Sequence, residues 1–559
     1  MPPSGGAMEE RREQPSARRV EEASRRAWIE PALVLALALL IRLLGIGWGL
    51  QNELHFVSYH PDEPVTWGYS QQIEPAKLDF DPDFYNYPTL YLTLLRVASD
   101  MVAAYAPTPD TPEGYWEYVS RCHLAGRWLS AASGAGCAVV AFLLLRRRSG
   151  RFAAWIGAGV VALAPGHLMH SRFQSVDVMA AFWVALALLL ADRLDGSPRP
   201  LRTAAWAGVA VGLAAGTKYT GALALAAVWA GAWLWLPREM RWRAWAASGA
   251  CAAAVFVATT PGCIVNWEAF RRDFAYELSH SASGHGLVFV GYPSGFVTHL
   301  MNLAAGMGPL LAVLGVASLA LLLRERLRWF YPIALFAVLH YVAIGRAEVM
   351  FFRYTLPLFV PLAVAIGAWA GERHLRPGRF GRAWAALALL AIGGVDGGGA
   401  AAGARVTAWM LMEDPRDQAA RFLKGSSQVE TVGLVSDPWF YTPPLYPESG
   451  LGPWAPLRAR LEAMAGAERP RVLRYLPADP EERKDWDIRL LEELRPDAVV
   501  FSSFEAFDAF RLRQPDAMRF YDRLQRDYRL ERMFGGPASR VHDLAYVRPE
   551  VFVWLRKDR

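Results

Sequence analysis

The sequence predicts a mainly α-helical polytopic membrane protein that carries a small C-terminal α/β domain outside the membrane. Apolar residues make up 53% of the chain, which is high for a soluble protein. They fall in blocks of roughly 18 to 24 residues, long enough to cross the hydrocarbon layer as helices. After residue 403 the composition changes to that of a soluble domain. Together these observations predict a membrane domain followed by an outer domain.

The N-terminal segment differs from both. Residues 1–27 are rich in Arg and Glu and have no apolar periodicity, which is typical of a disordered tail. The apolar span that follows has no small-residue cleavage site, so it is interpreted as a retained helix and not as a signal peptide. Residues 28–403 are then predicted to form the membrane domain.

About eleven apolar segments of this domain have the length of a membrane helix. Alternate loops between them carry arginine clusters. Because cytoplasmic loops are enriched in Lys and Arg, these loops and the N-terminus are predicted to be cytoplasmic and the C-terminus to lie outside. The predicted spans are ~31–50, ~123–145, ~152–168, ~174–191, ~203–217, ~219–236, ~244–260, ~300–323, ~329–344, ~354–371 and ~383–403.

Charge and composition also narrow the setting. The net charge of +6 lies mainly in loops, so it indicates membrane orientation and not nucleic-acid binding. The chain has five lysines among its 59 basic residues, with abundant Ala and Gly, which is typical of a G+C-rich bacterial genome. We therefore expect a bacterial cytoplasmic (inner) membrane protein.

Three segments are predicted on the outer side. Residues 51–122 and 262–299 form long loops, and the stretch Tyr87–Tyr105 within the first is amphipathic enough to lie along the membrane surface. Residues 404–559 form the α/β domain. Within it Thr431–Val435 and Ala498–Phe501 are predicted as buried strands, and Pro415–Leu423 and Ala517–Tyr528 as helices.

Two adjacent acids stand out in the first outer loop. Asp62 and Glu63 follow the first span by about a dozen residues, at the predicted mouth of the helix bundle. A carboxylate pair at this position favours chemistry on a lipid-borne substrate. The alternative is a helix N-terminus after Pro61, with both acids in the first turn. Other charges at the same membrane level favour the first interpretation.

Asp177 is one of these charges. It lies at the outer start of an otherwise apolar span, where an ionisable residue is costly unless it is paired or wet. An ion pair with Arg172 that anchors the helix is the alternative. Arg172 is kept as a second candidate for contacting a bound phosphate.

Three further cations lie on the outer side: Lys218 between two spans, Arg353 at the start of another, and Arg127 one turn into a span. Such cations run against the positive-inside bias, and a phosphate would explain them, since Arg offers a planar fork and Lys a point charge. Interfacial snorkelling is the alternative.

Histidines leave a divalent metal open, with no certain cofactor. His167 and His170 are three residues apart at an outer span end, a spacing that is weak evidence for a metal pair. His280 and His285 lie in the second outer loop, from which one could reach the site.

In order along the chain, these features resemble the C-type membrane glycosyltransferases of family 39, which include the protein O-mannosyltransferases and the lipid A aminoarabinose transferases. The resemblance covers roughly residues 30 to 550. It is carried by Asp62-Glu63, the aromatic segment Tyr85-Asn86-Tyr87-Pro88 with Tyr91, Gly126-Arg127-Trp128-Leu129-Ser130, Arg172 through Asp177, Lys218-Tyr219, and Arg353-Tyr354-Thr355-Leu356-Pro357.

The resemblance implies a C-type fold with an outer cavity, a polyprenyl-phosphate sugar donor and inverting transfer, with Asp62 catalytic and Asp177 as the second acid. On this hypothesis Asp62 is the general base, and Glu63 and Asp177 orient the sugar or the acceptor. The acceptor is a protein, a lipid or a glycan. Aromatic side chains are expected against the sugar or the lipid head: Tyr85, Tyr87, Tyr91, Tyr219 and Tyr354, with His285 nearby.

The sequence departs from the family at one segment. Many relatives carry Glu-Lys-Pro-Pro-Leu where this chain has Asn86-Tyr87-Pro88-Thr89-Leu90, and in the aminoarabinose branch that Glu and Lys help to bind a metal and the lipid phosphate. Two other functions stay open from the sequence. One is a transporter for lipid-linked sugars, although no repeat or midplane charge supports it, and the other is an anchored glycan-binding protein.

Overall fold

The structure is a computed structural model. It describes residues 17–52, 54–55, 57–105, 112–375, 379–445, 470–536 and 539–558. The chain is mainly helical from α1 to α18, and a small sheet domain follows. The mainly α-helical class with a C-terminal α/β domain is therefore confirmed.

The first helix begins earlier than expected. Helix α1 starts at Ala17, inside the segment predicted to be disordered, whereas residues 1–16 lie outside the described part of the chain. Ala, Arg and Glu dominate residues 17–27, and all three have high helix propensity. An apolar helix that follows directly can therefore extend backward into them.

Helices account for most of the membrane domain. Their bounds are α1 Ala17–Leu43, α2 Asp62–Ser70, α3 Leu90–Ala103, α4 Pro112–Arg148, α5 Gly150–Leu163, α6 Pro165–His170, α7 Val176–Asp192, α8 Pro200–Thr217, α9 Ala224–Trp235, α10 Arg238–Thr259, α11 Gly262–Val265, α12 Trp267–Ser283, α13 Gly295–Met307, α14 Pro309–Arg324, α15 Tyr331–Gly345, α16 Phe359–Leu375, α17 Arg379–Gly393 and α18 Gly399–Leu411. Short 3₁₀ helices precede α9, at Tyr219–Leu223, and α16, at Phe352–Leu358.

Small residues let these helices pack closely. Helices α8 and α10 approach so tightly that a Cβ on Gly208 would lie 2.2 Å from the Ser248 carbonyl oxygen. Close backbone approach at Gly and Ala is how helices associate in a membrane, where burial of apolar surface gives little drive. The buried core between α4, α5, α7 and α16 is likewise rich in alanine.

The predicted count of about eleven spans is not confirmed. Within the described residues, three helices are long and apolar enough to cross a membrane: Gly114–Arg148, Arg328–Gly345 and Phe352–Gly371. A fourth is reached if α13 and α14, which are bent by 119°, form one broken span. Several predicted spans therefore correspond to helices that are shorter than this test requires.

Two predicted spans are broken at glycine residues, and the two breaks lie against each other. The segment ~300–323 divides at Gly308, whose φ of +106° ends α13, and the segment ~383–403 divides between α17 and α18. A Cβ on Gly308 would lie 2.9 Å from the Gly398 Cα. Asp396 ties the two breaks together by accepting hydrogen bonds from the Leu310 and Gly398 amides at 2.7 and 3.0 Å.

The outer domain holds one sheet within the described residues, with strand order β2-β1-β3-β5-β4. Strands β2, β1 and β3 are parallel, whereas β5 pairs antiparallel with β3 and β4, in a register that sets Ala498 opposite Leu555. Its elements are α19 Pro415–Gly425, β1 Thr431–Leu434, β2 Arg471–Leu473, β3 Ala498–Ser502, α20 Ser503–Arg511, α21 Pro515–Asp527, β4 Tyr528–Phe534 and β5 Val551–Arg556.

The sequence predictions for this domain agree with the structure in kind and place. Both predicted strands correspond to β1 and β3, and both predicted helices to α19 and α21. Helix α18 runs to Leu411, so the predicted boundary at residue 404 falls inside this helix. The amphipathic stretch predicted for Tyr87–Tyr105 is helical only from Leu90 to Ala103.

Candidate functional site

One cavity of about 420 Å³ gathers charged side chains from the two long loops predicted on the outer side and from several helices. Its wall contains the acids Asp62, Asp177 and Glu277 and the cations Lys218 and Arg353. These five residues are far apart in sequence. Asp62, Asp177, Lys218 and Arg353 lie at the ends of helices and Glu277 lies within α12, and the packing of these elements brings the five side chains to one cavity.

Arg353 is the centre of this charge cluster. Its Nη2 lies 3.6 Å from Asp62 Oδ2, and its Nε lies 3.9 Å from Asp177 Oδ2. One guanidinium therefore joins the two acids that were predicted to share a pocket. It also lies 4.0 Å above the ring of Phe351, a distance at which a cation is attracted to an aromatic face.

One donor of Arg353 has no assigned role. Nη1 is buried and makes no hydrogen bond to the residues that the structure describes. A buried polar atom without a partner is costly, so Nη1 is the donor of Arg353 that would gain most from a new acceptor. Arg353 therefore contacts two carboxylates, has the Tyr546 hydroxyl near its side chain, and keeps one donor unpaired among the described residues.

The two acids differ in their surroundings. Asp177 lies in the first turn of α7 and is 4% exposed; it pairs with the Lys218 ammonium and accepts from Ser175 Oγ at 3.4 Å. Asp62, in the first turn of α2, is 22% exposed and contacts only Arg353 among the ion pairs of the described residues. Asp62 therefore has free lone pairs that face the cavity, whereas Asp177 is largely occupied.

Lys218 completes the cation pair. Its ammonium bonds to Asp177 and lies 4.3 Å from the centre of the Tyr354 ring. It sits at the break between α8 and the 3₁₀ turn Tyr219–Leu223, where its backbone is extended. This break places the side chain at the cavity wall rather than in the bundle.

Aromatic and imidazole side chains form the rest of the wall. Tyr87, Tyr219 and Tyr354 line the cavity, and so do His280 and His285, whose Nε2 and Nδ1 atoms are 3.3 Å apart. Tyr85 and Tyr91 do not line it. Both are buried: the Tyr85 hydroxyl donates to Asp81 at 2.5 Å and that of Tyr91 donates to the Gly126 carbonyl at 3.1 Å.

Glu63 points away from the cavity, contrary to the catalytic role expected for it. Neighbouring residues on a helix are rotated by about 100°, so Asp62 and Glu63 cannot face the same space. Glu63 is buried and forms a two-point pair with Arg127, with N–O distances of 2.8 Å. It also accepts from Ser58 and from the Gln174 amide.

Arg127 belongs to the same buried hydrogen-bond network as Glu63. Its Nη1 donates to the carbonyls of Ile46 and Trp48 at 2.6 Å, and its side chain is fully buried. It does not reach the cavity wall, so the structure does not bring it to a phosphate. Arg172 is also absent from the wall: it is buried and donates to Ile41 and Thr407 at 2.9 and 2.7 Å.

The Glu63–Arg127 pair makes a testable contribution to stability. Burial alone raises the pKa of Glu63, but the Arg127 guanidinium outweighs it and lowers that pKa from 4.5 to about 2. Glu63→Gln leaves a buried guanidinium without its counter-charge and is expected to cost about 3–5 kcal/mol of unfolding free energy. Chemical unfolding in detergent measures this cost.

The control for this prediction is Glu117→Gln, which removes an exposed pair with Arg121 and should cost at most about 1 kcal/mol. Because the folded pKa of Glu63 is depressed, its stabilisation is present above pH 4.5 and is lost as pH falls toward 2. Equal losses for both variants would contradict the assignment of Glu63 to the fold.

The donor set does not fit a metal. Among the described residues, no group of three or more His, Cys, Asp or Glu side chains is arranged to hold an ion. His167 and His170 lie on α6, where His167 Nδ1 faces Arg42 Nη2 at 3.0 Å and His170 faces Asp543 at 3.8 Å. In the cavity wall, the Asn86 side-chain amide donates to Glu277 at 2.7 Å.

Sequence reasoning missed two acids at this site. Glu277 lines the cavity, and the signal for it was its position one helical turn before His280 on the same face of α12. Asp543, in the outer domain, accepts hydrogen bonds from the backbone of Phe352 and Arg353 at 2.8 and 2.9 Å. Nothing in the local sequence marks it, because its partners are distant in the chain.

Comparison with known proteins shows a family resemblance over part of the chain. The family described as dolichyl-phosphate-mannose-protein mannosyltransferase matches residues 33–267, the part of the chain that supplies Asp62, Asp177 and Lys218. No match was found among curated proteins. The chain thus resembles membrane glycosyltransferases of the protein O-mannosyltransferase type, which confirms the resemblance drawn from the sequence.

Solved structures give more distant likenesses. ArnT from Cupriavidus metallidurans bound to undecaprenyl phosphate is 16% identical, with 94% of this chain and 98% of that chain covered and a TM-score of 0.48. The Archaeoglobus fulgidus oligosaccharyltransferase in the apo form is 17% identical, with 84% and 69% covered and a TM-score of 0.46.

Proposed function

We propose that this protein is a membrane glycosyltransferase. It moves a monosaccharide from a polyprenyl-phosphate donor to a hydroxyl of a protein, lipid or glycan on the outer side of a bacterial cytoplasmic membrane. The observation that carries this proposal is the meeting of Asp62, Asp177, Lys218 and Arg353 in one cavity. The family match to mannosyltransferases supports the reaction class.

The cations define the phosphate end of the proposed donor. Arg353 lines the cavity and has one donor that is unpaired among the described residues, and the Lys218 ammonium bonds to Asp177, the carboxylate that Arg353 also approaches. Fixed cations in a partly desolvated site stabilise the charge that develops on a leaving phosphate and need little reorganisation. Arg353 and Lys218 therefore take the leaving group.

Asp62 is the general base in this proposal. It is the more exposed of the two acids joined by Arg353, and its carboxylate is free of the ammonium contact that occupies Asp177. A base must have an accessible lone pair within hydrogen-bond reach of the proton that it accepts. Asp177 instead holds Lys218 and Arg353 in place and faces the positive charge that develops at the anomeric carbon.

The proposed reaction is a single displacement. The acceptor oxygen forms a bond to the anomeric carbon while its proton passes to the Asp62 carboxylate. The bond from that carbon to the phosphate oxygen breaks, and the electron pair leaves with the polyprenyl phosphate, held by Arg353 and Lys218. Attack opposite to the leaving group inverts the configuration at this carbon.

The cavity wall also suits a sugar ring. Tyr87, Tyr219 and Tyr354 offer aromatic faces beside polar groups, a combination in which one side of a ring packs and its hydroxyls find partners. The cavity volume of about 420 Å³ lies within the usual range for a site that binds a small ligand. This supports transfer of a monosaccharide.

The decisive experiment uses the purified full-length protein in lipid vesicles with a polyprenyl-phosphate hexose labelled in the sugar. When a cell-envelope fraction is added as acceptor, we expect the label to move to it while unlabelled polyprenyl phosphate accumulates. In a second experiment, mass spectrometry of envelopes from cells that lack the protein should show the loss of one sugar-sized modification. If the labelled lipid instead crosses the bilayer intact with no bond cleaved, the protein is a transporter and this proposal is wrong.

A further inference from the structure

The segment that carries Arg353 begins with backbone amides that lack partners of their own. Arg353 is the second residue of the 3₁₀ helix Phe352–Leu358, and Phe351 before it provides no side-chain cap. The first N–H groups of any helix have no acceptor within the helix. In a buried position they need one from elsewhere, because an unpaired buried amide is costly.

The outer domain supplies that acceptor. Asp543 Oδ1 accepts from the Phe352 amide at 2.8 Å, and Asp543 Oδ2 accepts from the Arg353 amide at 2.9 Å. These partners are 190 residues apart in the chain. Asp543 is fully buried, so water does not compete for its two oxygens. Both carboxylate oxygens are thus committed to the backbone on which Arg353 stands.

Neighbouring contacts reinforce this support. The ring of His542 lies 5.4 Å from that of Phe351, and the Arg353 guanidinium lies 4.0 Å from the centre of the same Phe351 ring. The 542–543 pair therefore supports Arg353 from two directions, through its backbone and through the aromatic face beneath its guanidinium. Neither residue lines the cavity that holds Asp62 and Asp177.

We propose that Asp543 is a positioning residue that sets the affinity for the donor phosphate. It holds the Arg353 backbone so that the guanidinium spans Asp62 and Asp177 at the cavity wall, where it can meet the phosphate. This inference rests on the proposed function, and it assigns the outer domain a part in donor binding. A separate glycan-binding module joined to the membrane domain would not need such a contact.

The chemistry of the contact requires a carboxylate. An amide at position 543 has one oxygen, so Asp543→Asn satisfies one backbone N–H and places an NH₂ group against the other. Two donors then face each other and the segment must shift. Because the phosphate contact depends on the guanidinium position, a shift of this segment weakens phosphate binding even though no phosphate contact is removed.

Undecaprenyl phosphate titrated into the purified full-length protein in detergent tests this inference. Asp543→Asn is expected to weaken binding about tenfold, in the range of a lost hydrogen bond to a charged group. Arg353→Gln should weaken binding at least as much. The double variant should bind no more weakly than Arg353→Gln alone, because Asp543 acts only through Arg353.

Asp417→Asn is the matched control. Asp417 is also a buried acid of the outer domain, but it accepts from Tyr59 and Asn52 in the first outer loop and does not contact Arg353. Its loss should leave phosphate affinity unchanged. If Asp543→Asn does not fold, Asp543→Ser carries the same prediction, since serine retains a capping oxygen without a charge.

The outcomes separate the two claims. Suppose that the wild-type protein binds undecaprenyl phosphate. If the Asp543 variant then binds it normally, or if its loss of affinity simply adds to that of Arg353→Gln, the positioning role is wrong and the proposed function stands. Wild-type protein that binds no undecaprenyl phosphate overturns the proposed function, and the positioning role with it. A non-additive loss confined to Asp543 and Arg353 supports both.

Discussion

Asp62→Asn is expected to reduce sugar transfer by about 10²–10⁴-fold, the usual contribution of one positioned general base. The asparagine keeps the shape of the side chain but cannot accept the acceptor proton. Undecaprenyl phosphate should still bind within a few-fold of wild type, because Arg353 and Lys218 remain and Arg353 loses only a partner at 3.6 Å. Initial rates with the labelled donor, and lipid phosphate binding in parallel, measure the two effects.

The matched control is Asp100→Asn. Asp100 lies in the same outer segment, on α3, where it is half exposed and pairs with Arg96 at 2.9 Å. It lies outside the cavity wall, so its loss should leave transfer unchanged. Retention of wild-type turnover by Asp62→Asn would reject its role as base. Loss of lipid phosphate binding together with turnover would assign Asp62 to holding Arg353 instead.

The meeting of four distant charges in one cavity could be anticipated from the sequence. Asp177, Lys218 and Arg353 each lie next to an apolar segment, and Asp62 lies in the loop that follows one. All four were assigned to the same side of the membrane by the arginines of the opposite loops. Apolar helices of similar length bring their ends to two levels only. Charged side chains at the same level of the bundle can face either the lipid or the bundle interior. Because exposure to lipid is costly, they face the interior and lie close together.

The sequence does not predict which of two neighbouring acids faces the cavity and which faces the core. Asp62 and Glu63 are adjacent in sequence and similar in chemistry, yet one faces the cavity and the other pairs with Arg127 in the core. That choice depends on the rotation of α2 about its axis, which is set by tertiary packing. A nine-residue helix with a weakly amphipathic sequence leaves this rotation undetermined until its neighbours are known.

The breaks in the apolar segments were missed for a related reason. A hydrophobicity count treats glycine as compatible with a span, so the run from Gly393 to Gly399 was included in one. The structure shows that Asp396 within this run accepts from two backbone amides at the junction of two broken spans. A carboxylate among glycines in an apolar segment was the signal, because it offers acceptors where a helix leaves amides unpaired.

Arg353→Gln is expected to produce the other large loss, about 10²–10³-fold in transfer, which is typical for removal of one preorganised donor to developing charge. Two effects act together. The leaving phosphate loses its planar donor, and Asp62 and Asp177 lose the cation within 4 Å of both that screens them from each other. Unlike Asp62→Asn, this variant should weaken undecaprenyl phosphate binding as well as turnover, so both should be measured.

Arg346→Gln is the control for this loss, since Arg346 is exposed at the end of α15 and lies outside the cavity wall. Arg353→Lys adds a graded test. It keeps the charge that separates the two acids but lacks the fork that spans them, so it should recover part of the turnover and little of the phosphate affinity. If Arg353→Lys fully recovers turnover and phosphate affinity, then only a positive charge is needed at this position. That result would contradict the proposal that Asp543 positions the Arg353 guanidinium.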